Sequence, residues 1–341
     1  PVIPKVLSPA RRALLALAPI AALVVLAGCA SGTAPAATPT PEASIAPVSL
    51  ENCGFAVTVD APPTRIVTIK STSVEMVAAL GLADRIVGAA FLDGPIPESL
   101  LDGVTPPVME GKLPSQEAVL ALRPDLVFGG WESNFSAEGA GDRAELAGLG
   151  IASYVSPAAC RSAGVPGPLT FEGVFNEITE AGALLGAKDA AAKVVAAQRK
   201  QLATVEPDTT GLTAAWYSSG RETPYMGAGT GAPQIVMDAL GLKNIFGDVA
   251  ETWVSVGWER VIEANPDVIV LVDSPGNHAT DKIERLKADP VLSKLKAVQG
   301  DAFLVIPFAA SEAGVRTVPA LVDLAAQLRA LGLEGHEGQG E

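Results

Sequence analysis

A repeated segment constrains the fold of this chain more than any other feature. Residues 117–128 and 259–270 follow one plan, in which a Glu is followed seven positions later by Pro-Asp and then by an apolar run. A second matching pair, Ala-Leu-Gly-Leu, lies upstream of each copy at residues 79–82 and 239–242. Such self-similarity indicates an internal duplication, so the chain is expected to form two lobes of related design.

The apolar runs of the two copies predict buried parallel strands. Residues 66–69, 126–128 and 268–272 are apolar with little alternation, which is typical of strands that helices cover on both faces. Segments with helical periodicity separate these runs along the chain. The alternation favours an α/β fold with a Rossmann-like, doubly wound sheet in each lobe.

A long proline-free stretch separates the two lobes. Residues 171–205 contain no Pro and carry apolar side chains at helical spacing, after an N-cap at Thr170. Gly182 and Gly186 lie inside this stretch and weaken a helix only slightly. We therefore predict one unbroken helix over residues 171–206, about 50 Å long.

The first 28 residues have the pattern of an export signal. Basic side chains precede an apolar stretch of 14 residues, Ala13–Leu26, which is too short to span a bilayer comfortably. Residues 26–29, Leu-Ala-Gly-Cys, resemble a bacterial lipobox in which Cys29 accepts the lipid. A transmembrane anchor that happens to carry a Cys is the alternative. The expected location is extracytoplasmic, with the protein lipid-anchored in the bilayer at the outer face of the cell membrane.

The segment after Cys29 is expected to be a flexible tether, because Ala, Thr, Ser and Pro dominate it and offer little bulky apolar surface. The predicted division of the chain is a signal peptide (1–28), a tether (29–50), a first lobe (51–170), a spacer helix (171–206), a second lobe (207–335) and a tail (336–341).

The charge of the chain bears on its partners. Removing residues 1–28 takes away three positive charges and no negative ones, so the formal net charge moves from −14 to −17. A surface this acidic repels nucleic acid, and nucleic acid is therefore not expected as a partner.

Two Cys remain once Cys29 is assigned to lipid. Cys53 and Cys160 are an even pair in an oxidising compartment, so we predict a disulfide between them. Two buried free thiols are the alternative, although the Ser-Pro-Ala-Ala sequence before Cys160 indicates a loop.

Residues 64–333 resemble the helix-linked substrate-binding proteins of ABC importers, a group that captures iron-siderophores, haem and cobalamin. The resemblance rests on Arg-Ile-Val at 65–67, the duplicated segments and the spacer stretch. Within this group the chain is similar to an actinobacterial subfamily proposed to bind F420-0, the deazaflavin precursor of coenzyme F420. The matching stretches of that subfamily are residues 68–72, 130–135, 155–160, 216–220 and 307–316.

The resemblance implies two Rossmann-like lobes, a single joining helix and a ligand cleft between the lobes. It also implies importer permease subunits as partners, with the ATPase reached through them. The protein is expected to be monomeric, to hold no cofactor and to be no enzyme.

The residues themselves offer little for metal binding or catalysis. The chain has two His, His278 in a loop and His336 in a Gly-rich tail, and no pair of them has ligand spacing. No Gly-x-Ser-x-Gly sequence is present. A metal site is therefore not expected, and an enzyme acting on a flavin-like substrate is kept only as a competing hypothesis.

Residues 227–231 form a Gly-rich turn before a predicted helix. Backbone N–H groups at such a position, here at Gly229 and Thr230, are able to hold a phosphate or carboxylate. The alternative is a tight strand-to-helix turn in which Gly allows close packing.

Aromatic residues follow several of the apolar strands, where open parallel sheets bind ligands. Rings at these positions are expected to stack on a ring-containing ligand, although core packing is the alternative for each. The candidates are Phe91, Trp131, Tyr217, Tyr225, Trp253 and Phe308.

Three cations are candidates to meet a negative group of the ligand. Lys70 ends the first apolar strand, and Arg221 and Arg316 lie in polar loops of the second lobe. A solvated charge or a salt bridge within the protein is the alternative for each of them.

Glu117 and Glu259 occupy the same position in the two repeats. In the family that this chain resembles, one surface Glu per lobe pairs with arginines of the two membrane subunits, so both are expected to dock on the permease. A carboxylate in the first turn of a helix is also favoured by the helix dipole, which is the alternative explanation.

These features lead to one functional hypothesis, a binding protein that delivers an anionic, ring-containing small molecule, such as F420-0, to an importer. A binding protein for ferric siderophore, haem or cobalamin is the alternative.

Overall fold

The computed structural model describes residues 46–164 and 167–333. The predicted signal peptide, Cys29, most of the tether and the tail after residue 335 lie outside these ranges. The predicted end of the tether at residue 50 is wrong, because strand β1 (Val48–Asn52) begins before it. This strand pairs in antiparallel register with β2 (Phe55–Val59), and Leu50 lies opposite Val57.

The first lobe is built on a parallel sheet of four strands. Its spatial order is β4-β3-β5-β6, and its strands are β3 (Ile66–Ile69), β4 (Ile86–Ala90), β5 (Leu126–Gly129) and β6 (Ala152–Val155). Every neighbouring pair in this sheet is parallel.

The second lobe has a parallel centre and an antiparallel side. Strand β7 lies between β8 and β11, while β12 pairs with β11 and β10 with β8. The strands are β7 (Thr213–Ser219), β8 (Tyr225–Gly227), β9 (Lys243–Asn244), β10 (Trp253–Ser255), β11 (Val268–Asp273) and β12 (Phe303–Pro307).

Helices cover both sheets, as expected of parallel strands buried on two faces. In chain order they are α1 (Ser71–Ala79), α2 (Glu98–Leu101), α3 (Gln116–Ala121), α4 (Arg143–Gly148), α5 (Phe171–Leu184), α6 (Lys188–Leu202), α7 (Ala232–Leu240), α8 (Trp258–Ala264), α9 (Ala279–Ala288), α10 (Lys296–Gln299) and α11 (Thr317–Leu331). Within the described ranges, no helix combines the length and the apolar character that a membrane span requires.

Successive strand residues point to different hydrophobic cores. In the first lobe, Leu126 and Phe128 belong to a core that continues through α5 and α6 into the second lobe, whereas Val127 belongs to a separate outer cluster. In the second lobe, Val270 faces the shared core and Leu271 faces an outer one. Each sheet is therefore buried on both faces, which confirms the α/β class and the two parallel-sheet lobes.

The predicted single helix over 171–206 is wrong in its length. Helix α5 ends at Leu184 and α6 begins at Lys188, because Gly186 between them adopts a left-handed φ of 71°. The two helices run antiparallel, since Glu172 at the start of α5 forms an ion pair with Arg199 near the end of α6. Helix α6 alone leads from the first lobe to the second, and its 15 residues span about 22 Å.

The Pro-Asp of each repeat has the same structural role. Asp125 accepts hydrogen bonds from the backbone N–H (2.7 Å) and the hydroxyl (2.9 Å) of Thr64, just before β3. Asp267 accepts the same two bonds from Thr213, the first residue of β7, at 2.9 and 2.7 Å. Each carboxylate thus links two neighbouring parallel strands, and we call this arrangement the Asp clamp. The Pro-Asp that recurs in the sequence supplies the Asp of this clamp in each lobe.

Candidate functional site

A cavity of about 470 Å³ lies between the two lobes. Its walls contain residues that directly follow β5, β6 and β12, together with the end of β7 and the first residues of α7. Ligands of open α/β sheets bind at such carboxyl ends of strands, and the volume is in the range of small-molecule sites. We refer to this space as the cleft.

Four of the predicted aromatic residues line the cleft, namely Trp131, Tyr225, Trp253 and Phe308. Tyr225 and Trp253 stack with their ring centres 5.7 Å apart and an interplanar angle of 15°, because β8 and β10 are antiparallel neighbours. Trp131 from the first lobe and Phe308 from the second meet edge-to-face, with centres 6.4 Å apart. The cleft therefore has aromatic surface from both lobes.

Lys70 lies beneath this aromatic surface and is not among the residues that line the cleft. Its side chain is fully buried and forms an ion pair with Asp93, which follows the neighbouring strand β4. Its ammonium also lies 3.7 Å from the ring centre of Trp131, 4.3 Å from that of Phe91 and 4.9 Å from that of Phe308. Lys70 and Phe91 thus pack against Trp131 from outside the cleft walls.

A hydrogen bond between Trp131 and Glu312 joins the two lobes beside the cleft. The indole Nε1–H of Trp131 donates a 2.8 Å hydrogen bond to Glu312 of the second lobe. Burial raises the pKa of Glu312 to about 7, while the Lys70 charge opposes the rise and the Asp93 charge adds to it. The bond fixes the Trp131 ring in one orientation across the interface between the lobes.

Arg316 is also engaged within the protein. Its guanidinium lies 3.1 Å from the buried carboxylate of Glu75 on α1, so this pair too joins the two lobes. Burial raises the pKa of Glu75 to about 7 against the lowering effect of the Arg316 charge. Arg316 does not line the cleft.

Tyr217 and Arg221 lie away from the cleft walls. Tyr217 is fully buried in the outer core of the second lobe, where its hydroxyl donates to the Gly220 carbonyl and accepts from Arg285. Arg221 is exposed, and its carbonyl accepts a 2.7 Å hydrogen bond from the indole of Trp258. The direct ligand contacts predicted for these two residues have no support in this arrangement.

The Gly-rich turn at 227–231 is a packing turn and not an anion cradle. The N–H of Gly229 donates to Val249 and that of Thr230 donates to Glu251, each at 3.0 Å, so these donors are already used. A Cβ at Gly229 would lie 2.2 Å from the carbonyl oxygen of Gly247. Glycine is needed there because two backbone segments pack directly against each other.

Two buried hydroxyl groups in the cleft have no hydrogen-bond partner among the described residues, Thr72 Oγ1 in the first lobe and Thr230 Oγ1 in the second. Thr72 is the second residue of α1, which follows β3, and Thr230 lies just before α7. Buried polar groups normally find a partner. Sequence reasoning missed Thr72, since a Thr at the start of a helix carries no distinctive pattern.

Arg161 lines the cleft and was also missed. It follows Cys160, which the structure pairs with Cys53 in a disulfide. The predicted cations lie at a strand end or in polar loops of the second lobe, whereas Arg161 lies in the loop after β6. Its position beside a predicted disulfide was the signal that could have drawn attention to it.

Glu117 and Glu259 lie in the first turns of α3 and α8, and both are exposed. They occupy equivalent positions in the two lobes, outside the cleft walls. Within the described residues, no group of three or more His, Cys, Asp or Glu side chains is arranged to hold a metal ion.

Known proteins share both the sequence pattern and the fold. The sequence profile described as periplasmic binding protein matches residues 66–310, which include parts of both lobes. A cobalamin-binding protein from Halobacterium salinarum is 27% identical over 276 aligned positions, which cover 73% of this chain and 68% of that protein.

Two solved structures match most of the chain. A periplasmic binding protein from Veillonella parvula has a TM-score of 0.73 at 27% identity and covers 84% of this chain and 98% of its own. A structure described as an ABC-type Fe3+-hydroxamate transport system from Saccharomonospora viridis has a TM-score of 0.69 at 27% identity, with coverages of 84% and 99%.

Proposed function

The chain belongs to the periplasmic binding protein family, and we propose that it captures an anionic, ring-containing small molecule and delivers it to an ABC importer. Membership of the family implies work outside the cytoplasm. The disulfide between Cys53 and Cys160 is consistent with an oxidising compartment. We further propose that Cys29 carries the lipid that anchors the protein.

The composition of the cleft carries this proposal. Aromatic rings from both lobes and two hydroxyl groups without partners face one space of about 470 Å³. Rings bind a planar ligand by stacking, and a few convergent polar groups fix its orientation. The relatives named above are binding and transport proteins, which supports capture over catalysis.

A deazaflavin such as F420-0 is the ligand that we propose. The sequence stretches at 130–135 and 155–160, which carry the resemblance to the F420-0 subfamily, contribute Trp131, Ser156 and Ala158 to the cleft. A tricyclic ring also matches the size of the cavity better than the much larger corrin of cobalamin.

Ferric siderophore, haem or cobalamin is the second candidate. The names of the Halobacterium and Saccharomonospora relatives favour cobalamin and ferric hydroxamate. Haem iron would need a protein ligand, and Tyr225 is the phenol in the cleft. Burial raises the pKa of Tyr225, although the Arg161 charge opposes the rise, and a raised pKa disfavours the phenolate that binds iron.

We also propose that Glu117 and Glu259 dock on the two permease subunits. Their exposure and equivalent positions suit a partner with two-fold symmetry. Exposed ion pairs add little affinity each, so their role would be steering and registry.

Protein purified from its own host tests the proposal directly. Native mass spectrometry and visible absorption should reveal a co-purified molecule, and a deazaflavin would absorb at the violet edge and fluoresce. Trp253→Ala should lose this molecule, whereas Trp258→Phe should keep it, because Trp258 lies in the same lobe but outside the cleft walls. Retention by the Trp253 variant would contradict the cleft assignment, and a coloured ferric complex or a corrin would favour the second candidate.

A further inference from the structure

We propose that Arg161 binds the negative group of the ligand, and that the disulfide loop which carries Arg161 holds it in place for this contact. The inference rests on the proposed function, because it names the part of the cleft that recognises the anion. It assigns the anion to a residue in the same cleft as the stacked Tyr225–Trp253 pair.

The other predicted cations cannot serve this role. Lys70 is buried and paired with Asp93, and Arg316 is paired with Glu75. Arg221 lies outside the cleft walls. Among the ion pairs of the described residues, none involves Arg161. Arg161 is thus a cation at the cleft wall that keeps its charge available for a ligand.

The guanidinium of Arg161 is only partly engaged. It donates to the Cys160 carbonyl at 2.6 Å, to the Ala158 carbonyl at 3.5 Å and to Thr252 Oγ1 of the second lobe at 3.0 Å. An arginine has five N–H donors, and a planar guanidinium suits a phosphate or carboxylate. The hydroxyl hydrogen of Thr252 is able to join the same contact, and Trp253 is its chain neighbour, which places the stacked rings next to the anion.

The loop around Arg161 is held by covalent and polar contacts. Cys160 is bonded to Cys53. Glu132 accepts hydrogen bonds from the backbone N–H groups of Arg161 and of Ser162, the latter at 2.9 Å, and from the Ser162 hydroxyl. A cation whose backbone is fixed in advance loses less freedom when a ligand binds.

Glu132 is itself held in its charged form. Burial pushes its pKa up, but the Ser162 hydrogen bonds and the backbone N–H of Arg161 outweigh this effect and bring the pKa below its usual value. Glu132 also lines the cleft, but both of its carboxylate oxygens are engaged by the loop that carries Arg161, and this engagement anchors the loop. Glu132 is a positioning residue in this scheme.

The test compares two probes that share one ring system, F420-0 and its deazaflavin core without the anionic side group. Fluorescence titration of the detergent-solubilised full chain would give both affinities at several salt concentrations. Arg161→Gln should weaken F420-0 binding about ten- to a hundred-fold and leave core binding unchanged. Arg161→Lys should lose less, and Arg221→Gln should bind both probes like the wild type.

A second set of variants tests whether Glu132 and the disulfide hold Arg161 in position. Glu132→Gln and the double variant Cys53→Ser with Cys160→Ser should weaken F420-0 binding several-fold, keep core binding, and add nothing in an Arg161→Gln background. The loss of F420-0 affinity caused by Arg161→Gln should be larger at low salt than at high salt, because salt screens the attraction that this variant removes. Unchanged F420-0 affinity in Arg161→Gln, or equal wild-type affinities for the two probes, would overturn the inference. Binding of neither probe by the wild type would overturn the proposed ligand class, and this inference with it.

Discussion

Replacing Glu177 with Gln should change how the stability of the protein depends on pH. Glu177 lies on α5 with 3% of its surface exposed, and it accepts a 2.7 Å hydrogen bond from Ser156, a residue of the cleft wall. Burial raises the pKa of Glu177 from 4.5 to about 7, the Ser156 bond opposes the rise, and the charge of Glu180 adds to it. Gln fills the same space and keeps an oxygen for Ser156.

The raised pKa of Glu177 decides whether the stability rises or falls with pH. A raised pKa means that the folded state holds the proton more tightly than the unfolded state, so the stabilisation is complete below pH 4.5 and is lost as the pH rises through 7. A rise from 4.5 to about 7 corresponds to roughly 3 kcal/mol. Between pH 4.5 and 8, the unfolding free energy of the variant should therefore gain roughly 3 kcal/mol relative to that of the wild type.

Urea unfolding followed by circular dichroism over this pH range measures the difference. Glu172→Gln is the matched control on the same helix, because Glu172 is exposed and hydrogen bonds from Arg199 lower its pKa. Its stabilisation is present above its usual pKa and is lost as the pH falls, so this variant should gain nothing at high pH. A pH-independent difference for Glu177→Gln would refute the burial argument.

Three further predictions concern the disulfide, the lobes and the docking residues. Thiol labelling of the unfolded, unreduced chain after removal of residues 1–29 should find neither Cys53 nor Cys160 free, and two reactive thiols would contradict the bond. Small-angle scattering curves with and without ligand should nearly superpose, since one core runs through α5 and α6 into both lobes, whereas a large fall in the radius of gyration would show hinge closure. Glu117→Ala combined with Glu259→Ala should leave ligand affinity and melting temperature nearly unchanged but sharply reduce transport in reconstituted vesicles, more than either single change. Normal transport by the double variant, or loss of its ligand binding, would contradict the docking role.

The strands could be predicted from the sequence because their signal is local. The apolar runs at 126–128 and 268–272 correspond to β5 and β11 within a residue at each end. The division of the long helix into α5 and α6 could not be predicted from the sequence, because the interruption at Gly186 depends on packing. The sequence Leu-Leu-Gly is a helix-ending signal, but it outweighs the helical pattern around it only because α5 and α6 pack side by side once the chain has turned.

The aromatic part of the cleft was accessible to sequence reasoning, and the charged part was not. Phe308 directly follows β12 and Trp131 lies two residues after the end of β5, so the strand-end rule alone places them in the cleft. Whether Lys70 faces a ligand depends on Asp93, which follows the strand beside it in the sheet. The order of strands in a sheet is not written in a single sequence, so the partner of a charged residue at a strand end could not be named.

The features that recur in both lobes belong to the framework of the protein, whereas the residues that line the cleft do not recur. The Asp125 and Asp267 clamps recur in both lobes with the same bonds, and the exposed Glu117 and Glu259 recur with them. The cleft shows no such repetition, since Arg161 and the disulfide belong to the first lobe and the stacked Tyr225–Trp253 pair belongs to the second. A two-fold partner requires equivalent surfaces, whereas a small ligand without two-fold symmetry requires different ones. Exchanging the loop after β6 should therefore alter which molecule is bound and leave the proposed docking on the permease intact.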